Sequence, residues 1–130
     1  INIENYHIID LNLPIILIKN YLSLFTDIIK TKIFYHDSST YGGDIKDINL
    51  FFISNYCFTE ISNIHNQKYI DILLSKVQNG FIVWQNGGNN GAYPVKNSDN
   101  IINKKIENII EEKPQTDAGY DIYKNYFVYF

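Results

Sequence analysis

Residues 50–60 read LFFISNYCFTE, and the reading of this stretch decides the fold. Together with Asn49, the run NLFFIS at 49–54 is short and almost wholly apolar. That is expected of a central strand in a parallel sheet, covered on both faces. Residues 55–62 then lead into a helix, in which Ile70, Leu73, Leu74 and Val77 recur at the i, i+3, i+4, i+7 spacing of one helical face. The pair Asn79-Gly80 suits the end of that helix, where glycine accepts a positive φ. Residues 81–84 (FIVW) follow as the next strand.

Working back toward the start, residues 6–10 (YHIID) are rich in β-branched side chains and end in an acid, which reads as a buried strand. Pro14 fits a first helical turn. Leu17, Tyr21, Leu24, Phe25 and Ile28, with Ile18, Leu22 and Ile29 beside them, predict a helix with a wide apolar face. Residues 32–35 (KIFY) read as another strand, followed by His36, Asp37 and a loop holding Gly42 and Gly43. Toward the end, Ser98 or Asp99 would cap a third helix carrying Ile102, Ile106 and Ile109 on one face. A segment at 109–112, a turn-prone stretch at 114–119 and an aromatic tail at 123–130 predict a closing antiparallel strand pair. The order β-α-β-β-α-β-α-β-β implies an α/β domain with a mostly parallel sheet. The 130 residues suffice for a single domain and are too few for a pair.

Composition narrows the partners. Hydrophobic residues make up 45% of the chain and aromatic residues 15%, which argues for a packed core and against a disordered segment. All 11 basic residues are lysines and the net charge is −3, so the arginine contacts and basic patches of nucleic-acid recognition are missing. No apolar run approaches a membrane span. The single cysteine, Cys57, reads as a small buried hydrophobe and fits a reducing, cytoplasmic setting. The spacing of acids and histidines suggests no metal site. The chain begins at Ile1 and contains no Met, so residues upstream of Ile1 are expected in the translated protein.

Two stretches resemble a known family. The pattern at 50–60, an apolar strand followed by Ser-Asn-Tyr, a small residue, Phe, Thr and Glu, and then GFIVWQN at 80–86 after a helix, is similar to the sugar O-methyltransferases among the class I (Rossmann-like) S-adenosylmethionine-dependent methyltransferases. Residues 6–22 (YHIIDLNLPIILIKNYL) resemble the same family's Asp-Leu-Pro strand end and the helix after it. The SNYxFTE stretch is the more specific of the two. The resemblance implies the class I strand order, 3-2-1-4-5-7-6, with 6–10 as the family's second strand. The first strand and its glycine-rich cofactor loop have no counterpart in this sequence. An N-terminal segment or a second chain is therefore expected to complete the sheet.

The same resemblance implies site residues. Asp10 would accept hydrogen bonds from the ribose hydroxyls of S-adenosylmethionine; an acid just past the carboxyl end of a parallel strand sits in the ligand crevice on general grounds. Its alternative is a helix-capping aspartate. Asp37 would lie near the adenine, or serve as a turn aspartate in DSST. Ser54 and Asn55 would face the transferable methyl group, and Tyr56 and Asn86 the acceptor sugar, with Gly87 and Gly88 lining the pocket or forming a lid. Methyl transfer to a hydroxyl needs alignment and a base. Glu60 ranks first, with His65 and then His36 behind it, while His7 is read as structural. For Glu60 the competing role is an acid favoured by the helix dipole. The function implied is methyl transfer to a sugar or glycan hydroxyl. Two alternatives stand beside it: a non-catalytic methyltransferase-like binding module, and a different α/β enzyme that uses a nucleotide sugar.

Overall fold

The computed structural model describes residues 3–86, 93–114 and 124–130. The Gly87–Gly88 pair and most of the stretch at 114–119 lie outside the described residues. The chain forms two compact units, Ile1–Lys46 and Asp47–Phe130. Among the described residues no helix is long and apolar enough to cross a membrane.

The first unit holds β1 (Asn5–Asp10), α1 (Asn12–Leu22), a 3-10 turn at Ser23–Phe25, β2 (Lys32–Asp37) and a second 3-10 turn at Ser38–Thr40. β1 and β2 pair in parallel from Asn5↔Lys32 to Asp10↔Asp37, as a β-α-β unit should. Pro14 sits in the first turn of α1, where its missing N–H removes no helical bond. The apolar face differs from the expectation. Leu17, Tyr21, Leu24 and Ile28 are exposed, whereas Ile15 is buried and Ile18, Leu22, Phe25 and Ile29 are half-buried. α1 ends at Leu22, so Leu24, Phe25, Ile28 and Ile29 lie beyond the helix, and periodicity alone did not select the inward row.

The second unit holds β3 (Phe51–Asn55), α2 (Cys57–Glu60), α3 (Asn63–Ile72), β4 (Asn79–Gln85), α4 (Ser98–Ile102), β5 (Asn108–Glu111) and β6 (Asn125–Tyr129). Its four-stranded sheet has the order β3-β4-β6-β5. β3 and β4 are parallel, while β6 lies antiparallel between β4 and β5. The mixed α/β content and the closing antiparallel pair agree with the sequence reading.

The core of this unit gathers on one face of the sheet. Ile82, Trp84 and Val128 are fully buried, together with Leu74, Val77 and Ile102 from the connecting segments. The Trp84 ring meets Phe58 at 6.0 Å and Tyr93 edge-on at 6.3 Å, and its indole N–H donates to the Tyr93 carbonyl at 3.0 Å. A buried tryptophan needs such an acceptor. The opposite face is less covered than the run NLFFIS suggested: Phe51 is 61% and Ile53 53% exposed.

Three local expectations are corrected. Gly80 ends no helix; it lies in β4, hydrogen-bonded in both directions to Phe130, and a Cβ there would stand 2.5 Å from the Phe130 ring. The close approach of Phe130 explains the glycine. The third helix stops at Ile102, because Asn103 takes the left-handed conformation (φ 52°) that terminates helices, and Ile109 belongs to β5. Cys57 opens α2 and is exposed. The row Leu73, Leu74, Val77 is buried as its spacing suggested, although α3 itself ends at Ile72 and one 3-10 turn, Leu74–Lys76, follows.

Candidate functional site

In the first unit the chemistry-bearing side chains lie on both faces of the β1–β2 pair. Asp10 and Asp37, the last residues of their strands, are register partners at the carboxyl end. Asp10 accepts the Leu11 backbone N–H at 2.7 Å. Leu11, the N-cap of α1, receives no side-chain cap. Asp37 accepts the Ser39 backbone N–H at 2.9 Å and so caps the turn Ser38–Thr40. Hydrogen bonds from Ser39, through its side chain first and its backbone second, hold the Asp37 carboxyl below its ordinary range.

Alternation along the strands puts His7 and His36 on the other face. There the Nδ1 of His7 lies 2.9 Å from the Nε2 of His36, and the Nδ1 of His36 lies 2.6 Å from the Asp44 carboxylate. The ring of His7 stacks on Phe34 at 4.9 Å. His36 is 9% exposed. Its hydrogen bond lowers the Asp44 carboxyl, outweighing the opposing effect of burial. With both ring nitrogens engaged, His36 is a fixed member of a His-His-Asp chain.

In the second unit the polar residues collect at the carboxyl end of β3 and β4. Ser54, nearly buried, accepts the Phe58 backbone N–H at 3.2 Å and so starts α2. Asn55 is exposed at the strand's last position. Tyr56 turns the chain from strand to helix at φ 62°, ψ −38°. For a residue with a side chain this conformation costs about 1–3 kcal/mol and persists only where its surroundings over-determine it. Here they do. The fully buried Thr59 donates to the Tyr56 carbonyl at 3.1 Å and accepts the Gln85 backbone N–H at 3.2 Å, tying the turn to β4. The Tyr56 hydroxyl donates to the Glu112 carboxylate, 3.0 Å from Oε1 and 3.3 Å from Oε2. The Asn125 amide donates to the same carboxylate at 2.9 Å.

The chain matches no protein-family model, no curated protein and no solved structure.

Asn86, just beyond β4, accepts the Val95 N–H at 2.9 Å, and its own N–H reaches the Lys124 carbonyl at 2.9 Å. Its side chain thus ties Val95 to the end of β4. Glu60 is exposed at the last position of α2, and His65 is exposed in the first turn of α3. Among the described residues no group of three or more His, Cys, Asp or Glu side chains is placed to hold a metal ion. Glu112 and Asn125 were not singled out from the sequence. Their only signal is positional: they flank the closing strand pair at the end where the parallel strands also finish.

Proposed function

We propose that this chain forms part of a Rossmann-like S-adenosylmethionine-dependent O-methyltransferase acting on a sugar or glycan hydroxyl. The observation that carries this reading is the place of β6, antiparallel between β4 and β5 in a sheet begun by a parallel pair. Within the family's strand order that is the sequence fourth, fifth, seventh, sixth. The separate parallel pair β1–β2 corresponds to the second and third strands. The position of Asp10 and Asp37 at the carboxyl end of β1–β2 supports the same reading.

The donor set fits part of the cofactor. Asp10, an acceptor-only carboxylate, suits the paired hydroxyls of a ribose, and Asp37 beside it suits the amino edge of adenine. When bound, S-adenosylmethionine supplies an electrophilic methyl group on a sulfonium. The chain's own part is then to bind and align. Within the second unit, Tyr56 and Asn86 would orient the acceptor, and Glu60 or His65 would take the proton released by its hydroxyl.

Calorimetry with S-adenosylhomocysteine on the full chain tests the reading. Asp10→Ala should weaken binding by about 1–3 kcal/mol, the scale of lost charge-assisted hydrogen bonds. Unchanged affinity would remove Asp10 from the site, and an absence of binding by the wild type would remove the cofactor.

A further inference from the structure

An open groove of about 800 Å³ lies in the second unit, bordered by Lys96, Ser98, Lys104, Lys105, Glu107 and Asn108. It sits at the end of the sheet where β4 begins, beside the register row Phe81–Tyr129–Asn108, whereas Tyr56 follows β3 at the opposite end. We propose that this groove binds a phosphorylated polyol. Lys96, Lys104, Lys105 and Ser98 take the phosphate, and Glu107 and Asn108 take hydroxyl groups. The inference does not rest on the methyltransferase reading.

The lysines are brought together by the turn after α4. Asn103, at φ 52°, folds the chain back, and the Lys104 backbone N–H closes on the Asp99 carbonyl at 3.2 Å. The Lys104 ammonium donates to the Val77 carbonyl at 2.6 Å, which pins it in place and leaves its charge uncompensated. An ammonium carries three donors, so two remain. Lys96 and Lys105 are exposed, and among the described residues no ion pair forms at any of the three lysines. Of the acids on the rim, Asp99 already accepts the Asn100 N–H at 2.8 Å, and Glu107 is exposed. The ammonium groups outnumber these acids, and lysine serves as a point-charge partner for phosphate.

The observation that points to a ligand is Ser98. It is 1% exposed, yet among the described residues its hydroxyl makes no hydrogen bond. Buried polar groups are nearly always paired, because losing water without gaining a partner is costly. A phosphate oxygen in the groove would supply that partner. The groove is larger than a bare anion needs and falls within the about 300–1,000 Å³ of small-molecule sites. Glu107 can accept from sugar hydroxyls, and the Asn108 amide can both donate and accept.

Titration of the full chain with glucose 6-phosphate, ribose 5-phosphate, inorganic phosphate and glucose tests the proposal, read by calorimetry and by amide NMR shifts. At least one sugar phosphate should bind more tightly than inorganic phosphate or glucose, with shifts gathered at 96–109 and an affinity that falls as salt is raised. The double variant Lys96→Gln/Lys105→Gln, at exposed positions, should weaken that binding about tenfold or more. Ser98→Ala should weaken it several-fold while the melting temperature holds or rises, since the variant removes an unsatisfied buried hydroxyl. A falling melting temperature would mark that hydroxyl as structural and overturn its role. Should Ser98→Ala fail to fold by circular dichroism, the lysine pair alone decides. Wild-type affinity in the folded variants overturns the proposal, as does a wild type that takes neither sugar phosphate, or shifts that avoid 96–109. Inorganic phosphate bound as tightly as the sugar phosphates means an adventitious ion only and overturns it as well.

Discussion

Asp10 and Asp37 stand side by side as the last register pair of the parallel β1–β2 ladder, two carboxylates at the carboxyl end of adjacent strands. Adjacent like charges are unfavourable, and each is already engaged by a local backbone N–H, from Leu11 and Ser39 respectively. On the proposed methyltransferase reading, the pair therefore separates into unequal partners for the cofactor. Asp37 is spent largely on its own turn, whereas Asp10 caps no helix. Asp10→Asn should weaken S-adenosylhomocysteine binding about tenfold or more, and Asp37→Asn by less than about threefold, each measured by calorimetry. Equal losses would show that the turn geometry, and not the ligand contact, controls the site.

The Asp44–His36 contact predicts a pH dependence with a definite sign. The Asp44 carboxyl is held below its ordinary value of 3.8, chiefly by the hydrogen bond from His36. A carboxyl lowered on folding adds stability that is complete above its unfolded value and is lost as the pH falls through the folded one. The Asp44 side chain is half exposed, so solvent screening keeps the contribution under about 1 kcal/mol. Asp44→Asn should therefore lower the melting temperature by a few degrees at about pH 6 and by less at about pH 3, because the contribution shrinks as the pH falls below 3.8. An equal shift at both pH values would mean that Asp44 acts through packing alone.

Much of the fold is legible in the sequence because parallel strands here are short apolar runs ending in polar residues. The runs ending at Asp10, Asp37, Asn55 and Gln85 announce the strands and, within each of the two sheets, the carboxyl end that carries the polar residues. The tip of β5 was less legible. Glu112 follows an ordinary Ile-Ile-Glu strand, and only the insertion of β6 between β4 and β5 brings it to Tyr56. That register is a long-range property, which local periodicity does not encode. The same holds for Gly80, whose meaning depends on Phe130, fifty positions away in sequence.

Gly80→Ala should be costly for that reason. The added Cβ would lie 2.5 Å from the tip of the Phe130 ring, 2.9 Å from the Phe52 Cβ and 2.9 Å from the Phe52 carbonyl oxygen. The ring can swing, but the strand backbone beside it cannot move without disturbing the β3–β4 ladder. Overpacking of this kind costs about 1–3 kcal/mol. Urea unfolding followed through Trp84, the chain's one tryptophan, would read it, and a midpoint equal to that of the wild type would show that the Phe130 end of the sheet is freely displaceable.

Thr59 offers the sharpest separation of packing from polar support at the Tyr56 turn. Its hydroxyl both donates to the Tyr56 carbonyl and accepts the Gln85 N–H, and the residue is fully buried. Thr59→Val keeps the shape and removes the hydroxyl from the Gln85 N–H, while the Tyr56 carbonyl keeps the Thr59 backbone N–H at 3.1 Å. The expected destabilisation is about 1–3 kcal/mol, the cost of an unsatisfied buried polar group. Thr59→Ser keeps the hydroxyl and loses one methyl, so it should cost about 1 kcal/mol. If Tyr56 is held in its left-handed conformation by this hydroxyl, the valine variant should also lose ligand affinity at the β3–β4 mouth while the serine variant keeps it. Comparable affinity in both, alongside the expected stability difference, would show that Glu112 and Asn125 alone suffice to hold the ring.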